Sequence, residues 1–478
     1  MKKVLSTLSA LLLIQAASYA QQPANRTSAT KIADVLAQQP AEEINKFTAA
    51  MQELENFTAD DIANLLSGLK PQGEDNAAIE YAANSYSFYV LQPGMEAKRE
   101  VFSKGLIMAL DRLQDKDNKG FVLQLIKQAS KNEAIEALVP YLQDDYLVDK
   151  AALALNGIRS PEAAAALSKA FASSASEKTT TAIVAALGDL HAKADEETII
   201  ASLAKYTSEN YQQNAYTALS KIAGLKSAPV FLEKLQAVNY QFDKTNIAGL
   251  TLNYANNLLE EGQDKLALSV TNTIAKGAAK AKVPTLQVGA LQLLVKANPA
   301  KTRKQLMKAA QSEEPLYRAS ALDLLAKNGN EATTKKLIKT LGKSSPEVQE
   351  SILCYLAVEG DETLVPDLKK KMGDLKYTRA KIAGLNALAQ LSGDGMTDYL
   401  IDALPTADEA TKQAIQSLLL TDKEEAVVEK VNQALGSSDA PTQKILLAVL
   451  AGRANMASSK AVIPLLKASD NGVKTAAL

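Results

Sequence analysis

The sequence has no tryptophan, one histidine (His191) and one cysteine (Cys354), and aromatic residues make up 5% of it. One His and one Cys cannot assemble a His/Cys zinc cluster. A lone Cys cannot close an internal disulfide, so stability must come from packing. Within SILCYLAV, Cys354 reads as a small buried hydrophobe on an apolar helix. Val, Ile and Thr never gather into alternating runs, which argues against a strand-rich fold. Beyond residue 20 no apolar run reaches the roughly 18 residues a transmembrane helix needs. The formal charge is -1. A nucleic-acid binder needs a basic face, so that balance argues against one. The clusters Lys335-Lys336 and Lys369-Lys370-Lys371 read as solvated helix faces.

Catalytic patterns are missing too. There is no G-x-G-x-x-G after a strand, no P-loop and no G-x-S-x-G elbow. DKDNKG (115–120) has Asp at positions one and three and Gly at six of a calcium loop. Lys119 and Ile126 occupy two ligand positions, so the stretch reads as an inter-helix turn. The acid pairs Glu42-Glu43, Asp60-Asp61, Asp144-Asp145 and Glu424-Glu425 fall at helix starts or turns, where carboxylates favour the dipole. His191 falls at a helix end. No catalytic residue, metal ligand or cofactor site is assigned.

What is present is alanine, leucine and a repeat. ASALDLLAKNG (319–329), ESILCYLAVEG (350–360), KIAGLNALAQLSG (381–393) and KILLAVLAGRA (444–454) carry related patterns, the first three at successive offsets of about 31 residues. Partner segments such as TTKKLIKTL, TLVPDLKKKM and VVEKVNQAL lie between them. Ser160-Pro161-Glu162 and Ser345-Pro346-Glu347 supply an N-cap, a first-turn proline and an acid. Asn328-Gly329 and Glu359-Gly360 supply stops. One helix pair cannot bury its apolar stripe alone, so about ten pairs must stack. The expected fold is all-α, a right-handed α-solenoid of HEAT-like helix pairs with a helical N-terminal cap. Residues 29–128 read as helical but off the period, with Thr58 and Asp61 making a cap-like start.

The first twenty residues, MKKVLSTLSALLLIQAASYA, have a basic start, a short apolar stretch and small residues before Gln21. They read as a bacterial signal peptide without a lipobox cysteine, which predicts a periplasmic or secreted protein. The expected organisation is a signal peptide at 1–20, a helical cap region at 21–128 and a HEAT-like array at 129–478. The last repeat, VKTAAL, reads as incomplete, and the natural chain is expected to continue past Leu478. A natural stop there is the alternative.

The run from NAAIEYAANSYSFYVLQPGMEAKREVF through LVPYLQDDYLVDKAALALNGIRSPEAAAAL resembles the start of secreted bacterial HEAT-like repeat proteins of Bacteroidota and planctomycete type. The resemblance covers most of residues 75–225. It implies a helical-repeat region followed by a jelly-roll domain of the 3-keto-disaccharide hydrolase type. Any such activity would belong to that domain of a longer parent protein.

Binding is the chemistry these residues suit. Tyr206, Tyr211, Tyr216, Tyr240 and Tyr254 recur in neighbouring units, and Tyr81, Tyr86, Phe88 and Tyr89 cluster in the cap. On a groove they would stack on sugars or anchor a peptide; between helices they would fill gaps. Arg318 and Arg379, with Lys412, recur near second-helix starts as a basic ladder or as internal hydrogen-bond donors. The expected partner is a protein or the chain's own C-terminal domain, with carbohydrate as a further ligand class. Nucleic acid and a membrane span are not expected, and the oligomeric state is open. The leading reading is an exported binding scaffold, the non-catalytic arm of a larger protein. The others are part of a glycoside-processing enzyme and a free-standing periplasmic assembly protein.

Overall fold

The computed structural model describes residues 26–71, 73–393, 395–454 and 456–478. The expected signal peptide lies outside them. Among the described residues there are 28 α-helices, eight short 3-10 segments and no strand. The chain is an α-solenoid of helix pairs and forms two compact units. One runs to Val238 and includes Phe242–Leu266; the other comprises Asn239–Gln241 and Ala267–Leu478.

Each unit is built by stacking alternate helices. In the first, Lys116–Ala129 packs on Val148–Ile158, which packs on Glu177–Asp189, then Glu209–Ile222, then Ile247–Glu260. In the second, the row runs Pro284–Ala297, Pro315–Asn328, Pro346–Glu359, Thr378–Ser392, Glu409–Thr421, Ala440–Arg453 and Asn471–Ala476. The intervening helices form a second row, whose apolar stripes meet the first. Leu306, Leu325, Leu337, Ile352, Leu388 and Val431 run through one continuous core of the second unit. The second helices approach closely because small residues face each other. A Cβ on Gly188 would lie 2.5 Å from the Ala218 Cα. Substitution there would push two helices apart.

The N-terminal helices join this stack rather than standing apart from it. Ser28–Leu36 packs on Ala59–Ser67, and Ala77–Tyr89 packs on Lys116–Ala129. Lys31 reaches Asp61 30 residues on, and Arg99 donates to Ala129 O, also 30 residues on. The period is hidden in the sequence because helix lengths here vary from 9 to 17 residues.

The local signals act as their chemistry requires. Ser160 and Ser345 accept from the backbone N–H three residues on, with Pro161 and Pro346 at the first helical position. Thr58 and Asp61 form a reciprocal capping box. The glycine stops work differently from expectation. Gly329 and Gly360 are extended, not left-handed. Glycine is needed there because a Cβ would sit 2.5 Å from the Leu325 and Leu356 carbonyl oxygens. The segments containing Pro140 and Pro464 are not single helices. Each begins as an α-turn and tightens to 3-10 at the proline, which lacks an N–H. The first four residues of VKTAAL lie in a short helix, Asn471–Ala476, capped by Asp470 and anchored by the fully buried Val473.

Candidate functional site

The structure divides the aromatic candidates. Tyr86, Tyr206, Tyr211 and Tyr216 are buried, as is Tyr254. The physical reason is gap filling. Tyr86 meets Phe102 edge-on at 5.2 Å, and Phe231 stacks on Tyr254 at 4.7 Å and lies 5.6 Å from Tyr216. The hydroxyls bond inside: Tyr211 with Ser202, Tyr206 with Thr180, and Tyr254 donating to Gly224 O at 2.6 Å. Burial pushes the Tyr216 hydroxyl up to about 12 and raises Tyr86, Tyr211 and Tyr254. These residues form no surface ladder. Tyr240 is half-buried at φ 61°, its ring filling the space beside Gly277, where a Cβ would lie 1.9 Å from its Cζ. Tyr89 donates to the Glu55 carboxylate at 2.8 Å. Of the cap aromatics, Tyr81 and Phe88 stand exposed.

Of the basic candidates, Arg318 and Lys412 share a register and Arg379 does not. Arg318 is the fourth residue of its helix and is buried. Its guanidinium donates to Ser312 O, Glu313 O and Ser351 Oγ. Arg379 is the second residue of its helix, exposed, and paired with Glu350 at 2.7 Å. The position equivalent to Arg318 is held by Gln212, Gln349, Lys381, Lys412 and Gln443. The three glutamines reach back to carbonyls that close the preceding helix: Gln212 to Leu203 O and Tyr206 O, Gln349 to Leu341 O, and Gln443 to Leu435 O. Where it holds Gln or Arg, the fourth position is therefore an internal clamp.

Residues with reactive chemistry are scattered. His191 is exposed, at φ 52°, with Nδ1 2.7 Å from Lys221 O. Cys354 is exposed, which corrects the buried reading. It sits beside buried Ile352 and Leu353 but points off the packed face. DKDNKG is not a turn; Asp115 caps the helix Lys116–Ala129 through Asn118 N. Among the described residues, His, Cys, Asp and Glu side chains form no group arranged as metal ligands. No described helix is long and apolar enough to cross a membrane.

A groove lies within the second unit, and sequence reading missed it. It has a volume of about 1330 Å³ between the helices Asp264–Ala281, Pro284–Ala297, Pro299–Ala309, Pro315–Asn328 and Glu331–Thr340. Ala275, Leu291, Leu294, Met307 and Tyr317 give it an apolar lining. Its charged lining residues are Lys301, Arg303, Lys304, Lys308 and Lys336, with no carboxylate. Arg303 Nε is engaged by Asn328 O at 3.1 Å. Among the described residues none of the four lysines has an ion-pair partner, whereas neighbouring Lys335 pairs with Glu331 at 2.5 Å. A signal was available: from Lys265 to Ser312 the chain carries eight lysines, one arginine and no acid.

Stacked helix pairs in two rows define an all-α helical-repeat protein, an α-solenoid. No family model and no curated protein sequence matches the chain. Solved structures with a similar course include Kap95p, from work on its binding to RanGDP, at 12% identity and TM-score 0.46, covering 94% of this chain and 72% of that one. Kap121p bound to Pho4p is similar at 11% identity and TM-score 0.43, covering 91% of this chain and 58% of that one. Importin beta in an ammonium sulfate condition follows at 13% identity and TM-score 0.40, covering 93% and 76%. The chain thus spans little more than half the Kap121p chain. None of these says what this protein binds; the solenoid stands on the chain's own helix pairs.

Proposed function

We propose that this chain is an exported helical-repeat scaffold that binds a protein partner and performs no catalysis itself, serving as the non-catalytic arm of a larger protein. The observation that carries binding is the groove. At about 1330 Å³ it exceeds the roughly 300–1,000 Å³ typical of small-molecule pockets, and five helices line it. Export rests on the pattern of residues 1–20. The larger protein rests on the resemblance of residues 75–225, which ties any glycoside chemistry to a separate jelly-roll domain.

Site-specific photo-crosslinking in the source cells tests the binding reading. A crosslinker replacing Gln305, at the groove, is expected to give a discrete protein adduct. Failure to form any protein adduct from exposed positions across both units would overturn it. Cell fractionation tests export: the chain is expected outside the cytoplasm and shortened at its N-terminus, and an unprocessed chain retained inside refutes that part.

A further inference from the structure

We infer that the groove in the second unit docks an acidic amphipathic helix: a partner segment with one apolar stripe flanked by Asp and Glu. The inference rests on the scaffold reading and names the site and the partner's chemistry.

Charge is the first argument. Lys301, Lys304 and Lys308 fall at i, i+3 and i+7, on one face of Pro299–Ala309. That spacing sets three ammonium groups along about 10 Å of helix. Lys336 adds a fourth from a second helix. Some lysines outside the groove pair with acids, such as Lys221 with Asp189, Lys226 with Glu197, Lys327 with Asp323 and Lys371 with Asp374; what sets the groove apart is that four lysines line it with no carboxylate among its lining residues. Four unpaired lysines around a carboxylate-free groove repel one another, and an acidic partner relieves that repulsion.

Shape and lining are the second. Buried Leu291 and Leu294 and half-buried Met307 and Tyr317 give the groove an apolar floor that accepts an apolar stripe. Methionine adapts its shape to the ridge it meets. A helix with anchors at i, i+3, i+4 and i+7 fits such a groove. Single-stranded nucleic acid would need aromatic platforms for its bases, and Tyr317 is the one aromatic residue in the lining. A flat anionic bilayer cannot enter a concave groove to reach its floor.

Fluorescence anisotropy with the full chain tests this. The probe is a labelled designed helix with Leu and Met on one stripe and Glu along both edges. A control peptide replaces every Glu by Lys. The Glu probe is expected to bind at least about tenfold tighter than the control. It should weaken as salt rises from about 0.1 M to about 1 M, where the Debye length falls from about 10 Å to about 3 Å. The exposed-site variant K301E/K304E/K308E should lose at least about tenfold in affinity. The variant K327E/K371E, on paired lysines outside the groove, should lose little. Equal binding of both peptides, or no loss in the triple variant, overturns the inference. Tighter binding of a single-stranded oligonucleotide or of phosphatidylglycerol vesicles also overturns it. A failed peptide with protein photo-crosslinks formed elsewhere sinks the groove and leaves the scaffold; no protein crosslink at any position sinks the scaffold reading.

Discussion

Glu196 holds Ser227 across one repeat: its Oε1 accepts both the backbone N–H and the hydroxyl of Ser227, each at 2.7 Å, and both residues are buried. Ser227 opens the helix Ser227–Ala237, whose N-cap Lys226 makes no side-chain cap bond. The cap therefore comes from the preceding pair. Gly224 leaves the room, because a Cβ there would lie 2.2 Å from Glu196 Oε2. Glu196→Ala strands a buried N–H and is expected to cost about 1–3 kcal/mol. Glu196→Gln keeps an acceptor and should cost less. Urea unfolding midpoints of the two variants check the order; equal midpoints would refute the shared cap.

Two carboxylates in the N-terminal helices predict an acid-sensitive unit. Burial tends to raise Asp61, but bonds from Thr58 N–H, Ser28, Lys31 and the Thr58 hydroxyl outweigh it and hold the group at about 2. Burial likewise opposes Glu133, and Ser103, Arg99 and backbone N–H groups hold it at about 2. Both lie below their unfolded values, so their stabilisation is present above about pH 4 and is lost as pH falls toward 2. Each should contribute on the order of 1 kcal/mol after solvent screening. Thermal melts of Asp61→Asn and Glu133→Gln should show a flatter loss between those pH values than the parent. An unchanged slope rejects the assignment.

The helix pairs were legible because caps and stops are local chemistry: Ser160, Ser345 and Gly329 act through atoms within four residues. Packing direction was less legible. Tyr211 and Tyr81 look alike in sequence, yet one is fully buried and the other exposed, because facing depends on a neighbour about a repeat away. Arg318 and Arg379 looked equivalent until helix starts fixed them at the fourth and second positions. The groove could not be read as a shape, since its walls come from segments spread between Ala275 and Lys336. Its charge was readable, as an acid-free run within a nearly neutral chain.

Cys354 offers a direct test of facing. Its thiol is exposed, and partial desolvation followed by the Glu350 carboxylate raises it above its ordinary value. The folded protein should titrate one thiol with a disulfide reagent, more slowly than free cysteine at neutral pH and faster as pH rises, because only the thiolate attacks. A thiol that reacts only after denaturation would return Cys354 to the core.

The fourth helical position yields the last prediction. Gln349 is buried, and its Nε2 donates to Leu341 O at 2.7 Å and to Ser344 O at 3.2 Å. Leu341 follows the helix Glu331–Thr340 and opens a 3-10 turn; its carbonyl also accepts the Ser344 N–H at 3.2 Å, so the Gln349 amide is its second donor. Gln349→Ala removes that second donor together with the bond to Ser344 O, at an expected cost of about 0.5–1.5 kcal/mol. Gln349→Arg should retain part of the stability, because one repeat earlier Arg318 donates to Glu313 O, the counterpart of Ser344 O. Lys381 stands at this position in the next repeat and makes no such carbonyl bond. Lys381→Ala should therefore stay within about 0.5 kcal/mol of the parent. Chemical unfolding of the three variants separates a clamp from simple occupancy: equal losses at Gln349 and Lys381 would show that the side chains only fill space.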